Sequence, residues 1–191
     1  TFTYQINNGS NQIVTSSGTS TTVAVPTTTS SDFTYYLISV QDSKSCSDAA
    51  MGSATVTVNP APGAAISGAV SVCKDATEPI ITFTGSDGNP SYTFTYNING
   101  GTSEMVSTGT AVSTVTITAP TNIPGDYVYN LTGVSDAAAS ACGAASGSIT
   151  IKIRSLPTAT LTGSSTVCQH TANPQLTFEA SNGTPPYTYS Y

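Results

Sequence analysis

Thr93-Phe94-Thr95-Tyr96-Asn97-Ile98-Asn99-Gly100-Gly101 is the stretch on which the fold turns. Apolar residues at 94, 96 and 98 alternate with hydroxyl and amide residues, the period of two expected of a strand with one buried face. Asn and Gly then supply the positive φ of a tight reversal. The same pattern stands near the beginning as Thr1-Phe2-Thr3-Tyr4-Gln5-Ile6-Asn7-Asn8-Gly9, an offset of 93 − 1 = 92. Three further blocks repeat in step. Gly52–Val58 recurs as Gly147–Ile153 (147 − 52 = 95), and Val72-Cys73 as Val167-Cys168 (167 − 72 = 95). Ile81-Thr82-Phe83 matches Leu176-Thr177-Phe178, with Tyr92 and Tyr187 each following a Gly-x-Pro-x turn.

A period near 95 residues suits a seven-stranded sandwich of about 100 residues. The expectation is therefore all-β, with tandem immunoglobulin-like β-sandwich repeats. Residues 1–60 would be the C-terminal part of one repeat (strands C to G), 61–155 a complete repeat, and 156–191 the N-terminal part of a third (strands A to C). Asn59-Pro60-Ala61-Pro62 and Ser155-Leu156-Pro157 serve as short linkers stiffened by proline. In the complete repeat, strands are expected at 65–72, 80–84, 92–97, 104–107, 112–118, 127–134 and 148–153. Ile81, Phe83, Tyr92, Phe94 and Tyr96 would face inward, with Val115, Ile117, Tyr127, Tyr129, Leu131, Ile149, Ile151 and Ile153. The Ala-rich segment 136–146 has room for one helical turn but is broken by Gly and Ser. Incomplete repeats leave apolar faces uncovered. Both ends are expected to be ordered only within a longer chain, or where the front of one molecule completes the back of another.

Charged residues are 7% of the 191, against roughly 25% in ordinary soluble domains. Hydrophobic content is an ordinary 38%, so folding and not disorder is expected. Four Lys and Arg with a net charge of −6 argue against nucleic acid and anionic lipid, which need clustered positive charge. No apolar run nears the 18 or so residues that span a bilayer, so membrane insertion is not expected. Thr1-Phe2-Thr3-Tyr4 reads as a strand and not as a secretory leader, which places the expected natural start upstream.

The four cysteines also recur, Cys46 with Cys142 and Cys73 with Cys168. Regular pairs of this kind point to disulfides and an oxidising compartment. Cys73 and Cys142 are the candidates within the complete repeat, with Cys46 and Cys168 finding partners outside these residues. In a standard sandwich, however, Cys73 and Cys142 would sit at opposite poles, far beyond bridging distance. Bonds between consecutive repeats, and free thiols, are the other two readings. His170 is the single histidine, and its expected place in a polar surface loop argues against a Ser-His-Asp or Cys-His arrangement within this chain. No catalytic residue, cofactor site or metal site emerges, and the chain reads as a non-enzyme. The loop carboxylates Asp32, Asp42, Asp126 and Asp136 read as turn caps, with calcium the one cofactor to consider there. Asn8, Asn130 and Asn182 open glycosylation-type triplets, and Tyr36 is the one aromatic expected to be exposed.

Four stretches together, Thr166-Val167-Cys168, Gly88–Gly101, Val25–Thr29 and Gly52–Pro60, resemble the PKD-like/Ig-like tandem repeats of giant Bacteroidota cell-surface proteins. The SprB-type gliding-motility adhesins, secreted by the type IX system, are the group the chain looks most like. The resemblance covers essentially the whole chain. It implies an extracellular, bacterial cell-surface location and a structural stalk within an adhesin filament used in gliding or attachment. Neighbouring repeats of the same chain would be the direct partners, and an extracellular surface or polysaccharide would be reached through other domains. The competing readings are repeats that themselves bind carbohydrate or a surface, and a spacer module of a secreted multidomain hydrolase.

Overall fold

In the computed structural model, residues 1–138, 143 and 145–191 are described. The described chain is all-β, several antiparallel sheets consistent with a β-sandwich, with no helix among the described residues. It divides into two compact units, Thr1–Ala61 and Pro62–Tyr191.

In the first unit, β1 (Phe2–Ile6), β2 (Gln12–Val14), β3 (Ser31–Gln41), β4 (Ser47–Ala49) and β5 (Ser53–Val58) form one sheet. β3 is its centre, bonded to β1 along one edge and to β4 and β5 along the other. Residues 20–27 join no strand, although Val23 lines the cleft over the apolar face.

The second unit contains two layers. One is β10 (Ser103–Ser107), β9 (Tyr92–Ile98), β12 (Gly125–Asp136), β13 (Gly147–Arg154) and β7 (Val70–Cys73), in that order. The other is β11 (Thr114–Thr118), β8 (Ile80–Ser86) and β6 (Gly63–Ser67). Phe83 of the second layer is fully buried, its ring 5.6 Å from that of Phe94 and 5.1 Å from that of Tyr96 in the first. Ile81, Tyr92, Tyr129, Leu131, Ile149, Ile151 and Ile153 complete this core, and Val115, Ile117 and Tyr127 pack on its margin. The remaining strands, β14 (Thr158–Thr162) and β15 (Thr177–Ser181), form a separate two-stranded ladder.

Two features depart from the sequence-based expectation. The single strand expected over 65–72 is two strands in different layers: β6 pairs antiparallel with β8, and β7 pairs parallel with β13. Gly68, with φ at 119°, makes the step between them, and any side chain there would strike the Ile80 carbonyl. Val134, absent from the expected core, is buried. Strict alternation from Leu131 would turn it outward, but the pairing of β12 with β9 skips Thr132, so the strand changes face there. β3 skips Ile38 against β1 at the corresponding place, 132 − 38 = 94 residues earlier. Of the 136–146 segment, only Gly143 outside the loop ends is described, bridged to Val134, so a helical turn there lies outside the described residues.

The burial contrast gives a direct test. Phe83→Ala should destabilise residues 62–154 by about 3–5 kcal/mol, the usual cost of emptying an aromatic site in a core. Phe178→Ala, at the corresponding but 41% exposed position, should cost less than about 1 kcal/mol. Urea unfolding followed by tyrosine fluorescence checks both.

Candidate functional site

The turn after β9 holds more than its own hairpin. Asn99 sits at φ 52° and Gly100 at φ 72°, closing the reversal with a 2.9 Å bond from the Gly101 N–H to the Ile98 carbonyl. The Asn99 side chain then reaches across to β12. Its Oδ1 accepts from the Val128 N–H at 2.7 Å and its Nδ2 donates to the Asp126 carbonyl at 3.3 Å. Its own N–H donates to the Val128 carbonyl at 2.8 Å. Asn7 repeats this clamp in the first unit at φ 50°: Oδ1 accepts from the Thr34 N–H at 2.8 Å and Nδ2 donates to the Asp32 carbonyl at 2.9 Å. Sequence reading placed Asn at the turn for its φ alone. The side-chain clamp is visible only once β12 lies beside β9.

The far end of β13 builds a second feature. There β7 lies parallel to it, with Cys73 level with Arg154. The Lys74 N–H donates to the Arg154 carbonyl at 2.8 Å, and Arg154 Nε donates to Ser71 Oγ at 2.8 Å. Beyond them opens a cleft of ≈ 480 Å³ lined by Cys73, Arg154, Pro157, Asn182, Pro186 and Tyr187. Cys73 is exposed, as are Cys46 and Cys168, and all three are free thiols. Cys142 lies outside the described residues, and with it the Cys73–Cys142 pairing. The described Gly143 and Gly147 stand at the end of the sheet opposite Cys73.

Of the carboxylates considered for a cation, Asp42 and Asp136 are engaged with the backbone and Asp126 with one ion pair. Asp42 Oδ1 accepts from the Lys44 and Cys46 N–H groups at 2.8 and 2.9 Å, an Asx-type turn. Asp136 accepts from the Asn89 and Ala138 N–H groups at 2.6 and 3.2 Å. Asp126 pairs with Lys152 at 3.5 Å on an exposed surface, where such contacts contribute little. Among the described residues, no group of three or more His, Cys, Asp or Glu gathers in a way that could hold a metal ion. His170 is an exposed loop residue at φ 70°. Tyr36 is half-buried, not exposed as expected, and lines a surface depression with Gln5 and Met51. Asn130 is half-buried too, with its Nδ2 donating to Asn97 Oδ1 at 3.0 Å.

Tyr96 donates its hydroxyl to Glu104 Oε2 at 2.8 Å across the β9–β10 pair. Burial above all, then this hydrogen bond and the Glu104 charge, pushes the Tyr96 hydroxyl up to about 12. Burial, followed by the Glu104 charge, raises Tyr129 as well. Both tyrosines are favoured in their neutral form by folding, so their contribution is fully present below the ordinary tyrosine value of 10.0. It is lost as pH climbs from there through about 12, where the unfolded chain ionises first.

Melting temperature measured against pH should therefore be flat on approaching pH 10.0 and fall towards 12, and Tyr96→Phe should shallow that fall. Iodoacetamide should alkylate Cys46, Cys73 and Cys168 in the folded, unreduced chain as readily as thiols of an unstructured peptide, because all three are exposed. Peptide mass mapping reads each site separately. In comparisons with known proteins, no family model and no curated protein matches the chain.

Proposed function

We propose that this chain is a run of structural stalk repeats from a large bacterial cell-surface adhesin filament, serving gliding motility or surface attachment and catalysing no reaction. The observation that carries this reading is the parallel pairing of β7 with β13. These strands lie near the two ends of residues 62–154: the chain enters through β6, steps at Gly68 into β7, and leaves at the end of β13. A pull on the ends therefore runs along both strands and loads the ladder bonds in shear. Several bonds must then give way together, unlike the successive bonds of a peeled hairpin. This arrangement suits a spacer that transmits force. Its edges are reinforced by the Lys74–Arg154 backbone bond and the Arg154–Ser71 contact.

Repetition supports the same reading. The Asn7 and Asn99 clamps, the skipped residues Ile38 and Thr132, and the matching β3–β5 and β12–β13 registers reproduce one design at a fixed spacing. The strand orders β11-β8-β6 and β10-β9-β12-β13-β7 are compatible with an immunoglobulin-like sandwich and support the PKD-like/Ig-like reading proposed for the repeat. A Thr-rich, weakly charged surface of net charge −6 suits a secreted protein on the cell exterior. Other domains of such a filament would contact the surface or polysaccharide.

Single-molecule pulling on the chain by its two ends tests the mechanical claim. Residues 62–154 should unfold in one event that releases about 300 Å of extended chain. Val72→Pro, which interrupts the β7 ladder, should lower the unfolding force markedly while leaving the Phe83-centred core intact. A force equal in the two forms would remove the basis for the stalk reading. Antibodies against this chain should label intact, unpermeabilised cells of the source organism. Labelling only after permeabilisation would contradict the surface location.

A further inference from the structure

The clamping residue Asn99 is followed by Gly100, and an Asn-Gly step is chemically labile. The Gly100 backbone nitrogen can attack the Asn99 side-chain amide carbon, because glycine has no Cβ to hinder the approach. The N–Cγ bond forms, the Cγ–Nδ2 bond breaks, and the side-chain nitrogen leaves as ammonia with the Gly100 N–H proton. Water then opens the five-membered imide at either carbonyl. The product is aspartate, or isoaspartate with the main chain routed through the side-chain carbonyl. Two other such steps occur, Asn8-Gly9 and Asn182-Gly183.

All three asparagines are exposed and stand at positive φ, 58° for Asn8, 52° for Asn99 and 64° for Asn182. Exposure therefore does not separate them; hydrogen bonding does. Both atoms of the Asn99 amide are held on β12, Oδ1 by the Val128 N–H at 2.7 Å and Nδ2 by the Asp126 carbonyl at 3.3 Å. The attacking group is held as well. The Gly100 N–H donates to Asn97 Oδ1 at 3.0 Å, and that oxygen is itself fixed by a 3.0 Å bond from Asn130 Nδ2. The two groups that must meet are thus turned onto different partners. At the other sites the amide is looser: Asn182 has one side-chain bond, to Thr158 at 3.3 Å, and the Asn8 side chain has none among the described residues. In the first unit the clamp is Asn7, followed by Asn8 and not by glycine, so there the labile step lies outside the clamp.

We propose that Asn99 is a latent deamidation site, kept intact by its clamp and converted once residues 97–101 part from β12. Conversion prevents the clamp from re-forming. Aspartate at 99 keeps an acceptor for the Val128 N–H but sets its second oxygen against the Asp126 carbonyl, where Nδ2 donated. Isoaspartate adds a backbone atom to the reversal closed by the Gly101-to-Ile98 bond, and so shifts the side-chain group off β12. A repeat held open long enough therefore carries a permanent chemical mark. Load and denaturant produce the same mark, so it does not require a mechanical role.

Peptide mass mapping of the full chain after incubation in mildly alkaline buffer, folded and in urea, tests this. In the folded chain Asn8 and Asn182 should convert to the acid, while Asn99 lags them by about tenfold or more, as expected where at least two hydrogen bonds must break first. In urea all three should convert at one rate. Asn97→Ala, which frees the Gly100 N–H and leaves Asn99 in place, should speed conversion at Asn99 in the folded chain and leave Asn8 unchanged. Asn99→Asp, the product itself, should lower the melting temperature of residues 62–154 by about 4–8 °C. Equal conversion of the three sites in the folded chain, no acceleration by Asn97→Ala, or an Asn99→Asp chain that melts with the wild type would each overturn the proposal.

Discussion

The contact of Phe83 with Phe94 and Tyr96 joins two sheets that share no ladder hydrogen bond. Sheets of this kind stay together by burial of apolar area and by packing of offset rings, about 1 kcal/mol per aromatic pair beyond the area term. The ladders themselves can form only in register with that burial, since a slip of one residue would turn every Thr inward and every aromatic outward. Strand identity, register and the closing of the sandwich therefore all depend on the alternation of Phe, Tyr and Ile with Thr.

Against that background, the two irregularities repeated in the chain have clear physical roles. Skipping Thr132 in one copy and Ile38 in the other lets a long strand change face midway, which turns Val134 into the core. The Asn99 and Asn7 side chains satisfy backbone groups of the neighbouring strand beyond the end of the β9 and β1 ladders. A glycine at either site would keep the φ and lose the clamp. An alanine would lose the clamp and pay for the left-handed backbone as well. The recurrence of both devices at offsets of 92 to 94 residues shows that the repeat is conserved in backbone geometry and not only in composition.

The uncovered layers show the same physics from the other side. Residues 20–27 correspond to the region of β11, but β11 is held only by β8, and the first unit has no β8 of its own among the described residues. A strand whose only ladder neighbour is missing has nowhere to place its N–H and C=O groups except water, so the segment stays unpaired. Phe178 and Leu161 are half exposed for the matching reason. Each half-repeat has the right pattern and lacks the opposing face, which makes its order and stability depend on whatever supplies that face.

The sequence by itself determined the all-β class, the ladder-forming segments and most of the Phe83-centred core, because those follow from local period-two patterning and from turns that need Asn or Gly. Repetition doubled each signal, since a pattern seen at 93–101 and again at 1–9 is hard to produce by accident. Only the tertiary structure decided that residues 63–73 divide between two sheets, that Val134 faces inward, that Tyr36 is half-buried and that Asn99 spans to β12. Each of these depends on which strand lies alongside, a pairing between residues tens of positions apart. Local alternation constrains how a strand turns its faces, but it carries no information about which neighbour will accept its hydrogen bonds.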